Sequence, residues 1–150
     1  MAEYIKSIRK LIGHRPLLSC GASVIVYSGG KILLQLRSDN NCWGYHGGIV
    51  ELDEIVEESA KRELLEETGL TANSLELFGV FSGPDMHYVY PNGDEISNVD
   101  IVYVCEDFSG EPTADGREIS KLQWFDINDI PSNISPPAKK ALSKFIESKR

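Results

Sequence analysis

Residues 47–70 read GGIVELDEIVEESAKRELLEETGL, and how this stretch is read decides the fold. Eight acids crowd into it, and three of them, Glu63, Glu66 and Glu67, stand at helical spacings that bring like charges together. At about 100° per residue, Val56, Ala60 and Leu64 form an apolar stripe, and the three glutamates fall in an arc of roughly 100° beside it. Asp53 reads as the N-cap, with Glu54, Glu57 and Glu58 near the positive end of the helix dipole. Gly69 suits the left-handed position that ends a helix. Leu65 points away from the stripe and predicts a second covered face. Like charges four residues apart oppose a helix by roughly 0.2–0.5 kcal/mol per pair. A solvated acidic surface is the plain explanation of any such trio. Here the acids border the buried stripe, and a cluster of hard oxygen ligands holding Mg²⁺ or a similar ion accounts for them better.

On either side of this helix the chain reads mostly as strand. Residues 18–27 (LSCGASVIVY) are rich in β-branched side chains, Ser28-Gly29-Gly30 signals a hairpin, and 31–37 (KILLQLR) return as a second strand. Residues 38–46 read as a loop, followed by a short extended piece from Gly48 to Glu51. Further strands are expected at 75–81, at 87–90 and 96–107 around the turn Pro91-Asn92-Gly93-Asp94, and at 122–125 after a polar loop over 109–120. Tyr4, Ile5, Ile8 and Leu11 give the N-terminus the spacing of a short amphipathic helix, and Pro136-Pro137 open a terminal helix. With no repeat or linker, the prediction is one α+β domain over 1–150, a mixed sheet covered by helices.

Composition narrows the function. The 150 residues carry a net charge of −8, which argues against a sequence-independent grip on a nucleic acid polymer. A small phosphorylated ligand remains compatible, because a bound cation supplies the missing positive charge. Cys20, Cys42 and Cys105 stand singly, so the expectation is reduced, mostly buried thiols in a cytoplasmic protein. No stretch has the apolar length of a membrane span, and the N-terminus lacks a signal-peptide core.

The segment from Gly48 follows the pattern G-x5-E-x7-R-E-U-x-E-E-x-G-U, with U apolar: Gly48, Glu54, Arg62, Glu63, Leu64, Glu66, Glu67, Gly69 and Leu70. This resembles the signature box of the Nudix hydrolases at every specified position. At average residue usage, a chance match at one start point is on the order of one in a billion. The resemblance implies the family's α/β/α sandwich. It also implies Mg²⁺-dependent (or Mn²⁺-dependent) hydrolysis of a nucleoside diphosphate linked to another group, by water attack on a diphosphate phosphorus. Carried over by position, Glu63, Glu66 and Glu67 would hold the metal, with the Gly47 carbonyl as a further ligand. Glu66 would also orient or deprotonate the water, Glu54 would reach the metal through water, and Arg62 would fix the carboxylates. A distant acid often completes such sites, and Glu118 is the first candidate, ahead of Asp115, Asp94 and Glu95. Arg37 could meet a phosphate, and Trp43, Tyr88 or Tyr90 could stack on a base. Family members are often dimers.

Two departures stand out. The family usually has proline before the two glycines, whereas this chain has His46, which reads as a bystander, a phosphate contact or an extra proton carrier. Asp53 replaces a common glycine, which a helix cap explains. The substrate reads as a (d)NTP, with ADP-ribose or another nucleoside diphosphate sugar as the alternative. A non-catalytic nucleotide-sensing module is the reading outside enzymes. Pro84 and Tyr88 point to different subgroups and decide nothing.

Overall fold

The computed structural model describes residues 3–150. After helix α1 (Glu3–Ile12) come strands β1 (Leu17–Ser28), β2 (Lys31–Arg37), β3 (Trp43–Gly44) and β4 (His46–Ile49). Helix α2 (Val56–Thr68) follows, then β5 (Thr71–Ala72), β6 (Glu76–Phe81), β7 (His87–Val89) and β8 (Glu95–Cys105). The chain closes with β9 (Phe108–Ser109), β10 (Ile119–Asp126) and helix α3 (Lys139–Ser148), the last introduced by a 3₁₀ turn at Pro136–Ala138.

The main sheet runs in the order β10-β2-β1-β8-β6. Its central pair, β1 and β8, is parallel, and every other pairing is antiparallel. Strand β1 alternates its side chains across the sheet, as the pleat demands. Ile25 joins Phe145, Leu142 and Trp43 on the α3 side, while Ala22, Val24 and Val26 join Ala60 and Leu64 on the α2 side. Two cores, one on each face, make the expected α+β sandwich with its mixed sheet.

Several local expectations need correction. Residues 38–46 are not loop throughout, because Trp43 and Gly44 pair with Leu36 and Gln35, and His46 already pairs with Val24. Asp53 does not cap α2: the helix starts at Val56 after Ile55, with no side-chain cap. Instead Asp53 has φ 63°, the left-handed geometry glycine prefers. Glu54 lies in the turn before the helix, where its carboxylate accepts the Glu51 N–H at 3.1 Å. Leu65 is exposed, so α2 has one covered face. In α1, Ile5 is buried and Tyr4 and Ile8 are half-buried, but Leu11 is exposed. The three cysteines are free, with Cys105 alone fully buried. Among the described residues, no helix is long and apolar enough to cross a membrane.

Candidate active site

A cleft of about 820 Å³ runs over the box. Gly47, Gly48, Arg62, Glu63, Glu66 and Glu67 line one wall. Arg37, Tyr90, Arg117 and Glu118 also line the cleft, as do Glu3, Ile5 and Arg9 of α1. Two packing facts hold the acidic wall. Leu64 and Ala60 anchor α2 on the sheet, which fixes the helix face beside them. Strand β4 pairs with β1, Ala22 opposite Gly48 and Ser23 opposite Gly47, which brings bare backbone against that face. A Cβ on Gly48 would lie 2.4 Å from Glu63 Cδ, so Glu63 occupies the space the glycine leaves.

The charges are arranged around Arg62. Its Nε and Nη2 donate to both oxygens of Glu54 at 2.7 and 3.0 Å, its Nη1 donates to Glu63 Oε1 at 3.0 Å, and Nη1 reaches the two Glu66 oxygens at 3.3 Å. This fork holds the Glu54 carboxyl at about 2. Burial pushes Glu63 up, and the nearby Glu66 and Glu118 add to that rise against the pull of Arg62. Burial pushes Glu67 up to about 8, although the Gln35 amide and the Gly47 N–H stabilise its charged form. Glu66 is the open member, with its side chain 58% exposed.

Among the described residues, no three carboxylate, imidazole or thiol groups converge on one point in this arrangement; the guanidinium of Arg62 lies among the acids instead. The donor set nevertheless suits a hard divalent cation. It is all oxygen, and burial disfavours the charged forms of Glu63 and Glu67, which a bound cation would favour.

The other sequence candidates divide. Glu118 stands on the cleft and its charge is felt by Glu63. Asp94 also lines the cleft but is held by His14 Nδ1 at 2.7 Å. Asp115 accepts the N–H groups of Arg117 and Ile119, and Glu95 pairs with His87 at 2.6 Å. Arg37 lines the cleft and forks onto Asp39 at 2.9 and 2.8 Å. Trp43 is core, edge-on to Phe125 at 4.9 Å. Tyr88 lines a smaller adjoining pocket, takes a hydrogen bond from Asn40 at 2.9 Å, and packs edge-on to Tyr90 at 5.0 Å.

His46 does not open onto the cleft or the adjoining pocket. It is 0% exposed, its Nε2 lies 3.0 Å from the Leu33 carbonyl and its Nδ1 lies 2.6 Å from Gln35 Oε1. Burial pulls the ring down to about 4, so it carries no charge at neutral pH. Phosphate binding needs exposure and charge, and His46 has neither.

Sequence reasoning passed over three residues. Gln35 and Asp100 are buried polar groups in apolar strands, an arrangement that demands partners. Asp100 takes hydrogen bonds from Ser23 Oγ at 2.7 Å and the Tyr45 hydroxyl at 2.8 Å, on the wall of the smaller pocket. Arg9 of α1 donates from Nη2 to the Glu95 carbonyl at 2.7 Å, while the Glu51 carboxylate accepts the N–H groups of Glu3 and Tyr4. A polar residue inside ILLQL or NVDIV was the available signal for the first two, whereas Arg9 gave none.

Comparison with known proteins places this architecture. The family model described as the NUDIX domain matches residues 19–146, and the chain belongs to the Nudix hydrolase family. It is 39% identical over 110 residues to a protein of Methanocaldococcus jannaschii named ADP-ribose pyrophosphatase, the match covering 71% of this chain and 61% of that one. It is 34% identical over 111 residues to the oxidized purine nucleoside triphosphate hydrolase of Danio rerio, covering 72% and 66%. The match thus spans about two thirds or less of these relatives' length. Among solved structures, a MutT NUDIX hydrolase from Burkholderia pseudomallei superposes with a TM-score of 0.73 at 30% identity, covering 85% of this chain and 97% of that one. Helix α1 lies ahead of the matched segment.

Proposed function

We propose that this chain hydrolyses a diphosphate bond in a nucleoside diphosphate linked to another group, with a (d)NTP as substrate. The observation that carries this reading is the meeting of Glu63, Glu66, Glu67 and Glu118 with Arg37 and Arg62 on one cleft, of a volume that suits a nucleotide. Glu63, Glu66, Glu67 and the Gly47 carbonyl would hold Mg²⁺, or Mn²⁺ in its place. That cation would supply neutralisation of phosphate charge and a lower pKa for the attacking water. The open carboxylate of Glu66 would orient the attacking water or take its proton. Arg62 keeps Glu54, Glu63 and Glu66 from relaxing apart when the diphosphate enters. Arg37 supplies a guanidinium for phosphate, and Tyr88 an aromatic face at the adjoining pocket.

ADP-ribose is the second reading, favoured by the name of the archaeal relative. A panel of canonical and oxidised dNTPs, ADP-ribose, sugar nucleotides and dinucleoside polyphosphates, assayed with Mg²⁺ on wild type and Glu66→Gln, tests both. Turnover of one class, largely lost in the variant, is the expected result. Nucleotide binding without turnover under Mg²⁺ or Mn²⁺ would replace the enzyme by a sensor.

A further inference from the structure

Between helix α2 and the middle of the sheet runs a buried polar chain whose outer members the proposed hydrolysis does not use. It starts at the Leu33 carbonyl, 3.0 Å from His46 Nε2. It continues through the 2.6 Å contact of His46 Nδ1 with Gln35 Oε1 and the 3.1 Å hydrogen bond that Gln35 Nε2 donates to Glu67 Oε2. It ends where the Gly47 N–H donates to Glu67 Oε1 at 2.7 Å. Gln35, His46 and Glu67 are 2%, 0% and 7% exposed, so water plays little part in holding them.

A long carboxylate side chain has three rotatable bonds and reaches a fixed orientation only if its oxygens are held. Glu67 has each oxygen held by one donor. The donor on Oε1 is backbone and immovable within β4. The donor on Oε2 is a flexible amide, which could swing away from the helix in an unconstrained strand. His46 opposes that swing: its neutral ring stands between the Leu33 carbonyl and Gln35, and its single N–H, carried on Nδ1, donates to Gln35 Oε1 across the shorter contact. All three anchors sit on paired strands, Gln35 and Leu33 on β2 and His46 on β4, so the chain is built on rigid backbone.

We propose that Gln35 and His46 are positioning residues for Glu67, fixing its carboxylate in the orientation in which it binds a divalent cation. The histidine in place of the expected proline thereby has a function without touching substrate. This inference rests on the reading of Glu67 as a metal ligand. Outer partners of metal-binding side chains commonly alter metal affinity 10–100-fold when removed.

The test is Mn²⁺ binding to the nucleotide-free protein, followed by electron paramagnetic resonance of free Mn²⁺, for wild type, Glu67→Gln, Gln35→Leu, His46→Leu and His46→Asn. Thermal melting in chelator checks that each is folded. Glu67→Gln is expected to lose affinity outright. Gln35→Leu and His46→Leu should each lose about tenfold. His46→Asn, which keeps a hydrogen-bonding group at the Nδ1 position, should stay within about threefold of wild type. The Gln35→Leu, His46→Leu double variant should lose no more than Gln35→Leu alone, since the histidine acts through the glutamine. Wild-type affinity in folded Gln35→Leu and His46→Leu, with Glu67→Gln impaired, overturns this proposal and spares the metal reading. Failure of wild type to bind Mn²⁺, or full affinity in Glu67→Gln, overturns the metal reading and this inference with it.

Discussion

Gly48→Ala separates chemistry from stability at one position. Gly48 is not among the positive-φ residues, so alanine can adopt its backbone. The added Cβ would lie 2.4 Å from both Cδ and Oε1 of Glu63, where ordinary contact begins near 3.4 Å. The carboxylate must therefore yield by about 1 Å, and as the far end of a flexible side chain it can. Removing a glycine from the unfolded ensemble stabilises by about 0.4–1 kcal/mol. Disturbing the Glu63–Arg62 ion pair costs a similar amount. These effects offset one another, so the melting temperature should stay within about 3 °C of wild type. The catalytic effect does not cancel, since a 1 Å misplacement of a catalytic group costs on the order of 100-fold in rate. Gly47→Ala is the contrasting variant. Its Cβ meets the Ala22 carbonyl at 2.6 Å and Ser23 Cα at 2.8 Å, and strand backbone cannot step aside. It should destabilise by about 1–3 kcal/mol. The assays are thermal melting in chelator and kcat/KM for the substrate that the panel identifies. A Gly48→Ala protein that melts like Gly47→Ala, or that keeps wild-type turnover, would refute the argument that Gly48 exists to seat Glu63.

Three further outcomes follow from the same geometry. Glu67 ionises at about 8 in the fold against an ordinary 4.5, so the native state holds a proton the unfolded chain has released. The stability of cation-free protein should fall as pH rises from about 4.5 to about 8, and Glu67→Gln should flatten that fall; equal slopes in a melting series would contradict the burial argument. Asp53→Gly should raise stability by about 0.5–1 kcal/mol, because an L-residue at φ 63° is strained and glycine is not, with catalysis unchanged. Arg62→Ala should lower kcat/KM by releasing Glu54, Glu63 and Glu66, and Arg62→Lys should not restore it, because a single ammonium cannot fork onto Glu54 while reaching Glu63; full rescue by lysine would show that charge alone matters.

The box was legible because its geometry is local. Residues three and four apart on a helix share a face whatever the rest of the chain does, so the acidic arc beside Val56, Ala60 and Leu64 could be drawn from spacing. Hairpins marked by Ser28-Gly29-Gly30 and Pro91-Asn92-Gly93-Asp94 were legible for the same reason. The misreadings occurred where a residue's role depends on distant partners. Asp53 has the composition of a cap, but the turn held by Glu54 and Glu51 places it two residues too early and in left-handed backbone. His46 looked like a free residue beside a loop, since its partners Leu33 and Gln35 lie on another strand and meet it only through cross-strand register. Leu65 looked buried because apolarity was its only local attribute.

Helix α1 carries a consequence for anyone handling this protein. Glu51 grips its first turn and Arg9 ties its last turn to the strand opening at Glu95, so a helix of ten residues, about 15 Å long, is held at both ends beside the cleft. That helix lies wholly ahead of the family-matched segment, and trimming the chain to residue 19 would discard it while leaving every box residue in place. The trimmed protein would keep the carboxylates of the box but lose the part of the cleft lining that Glu3, Ile5 and Arg9 supply.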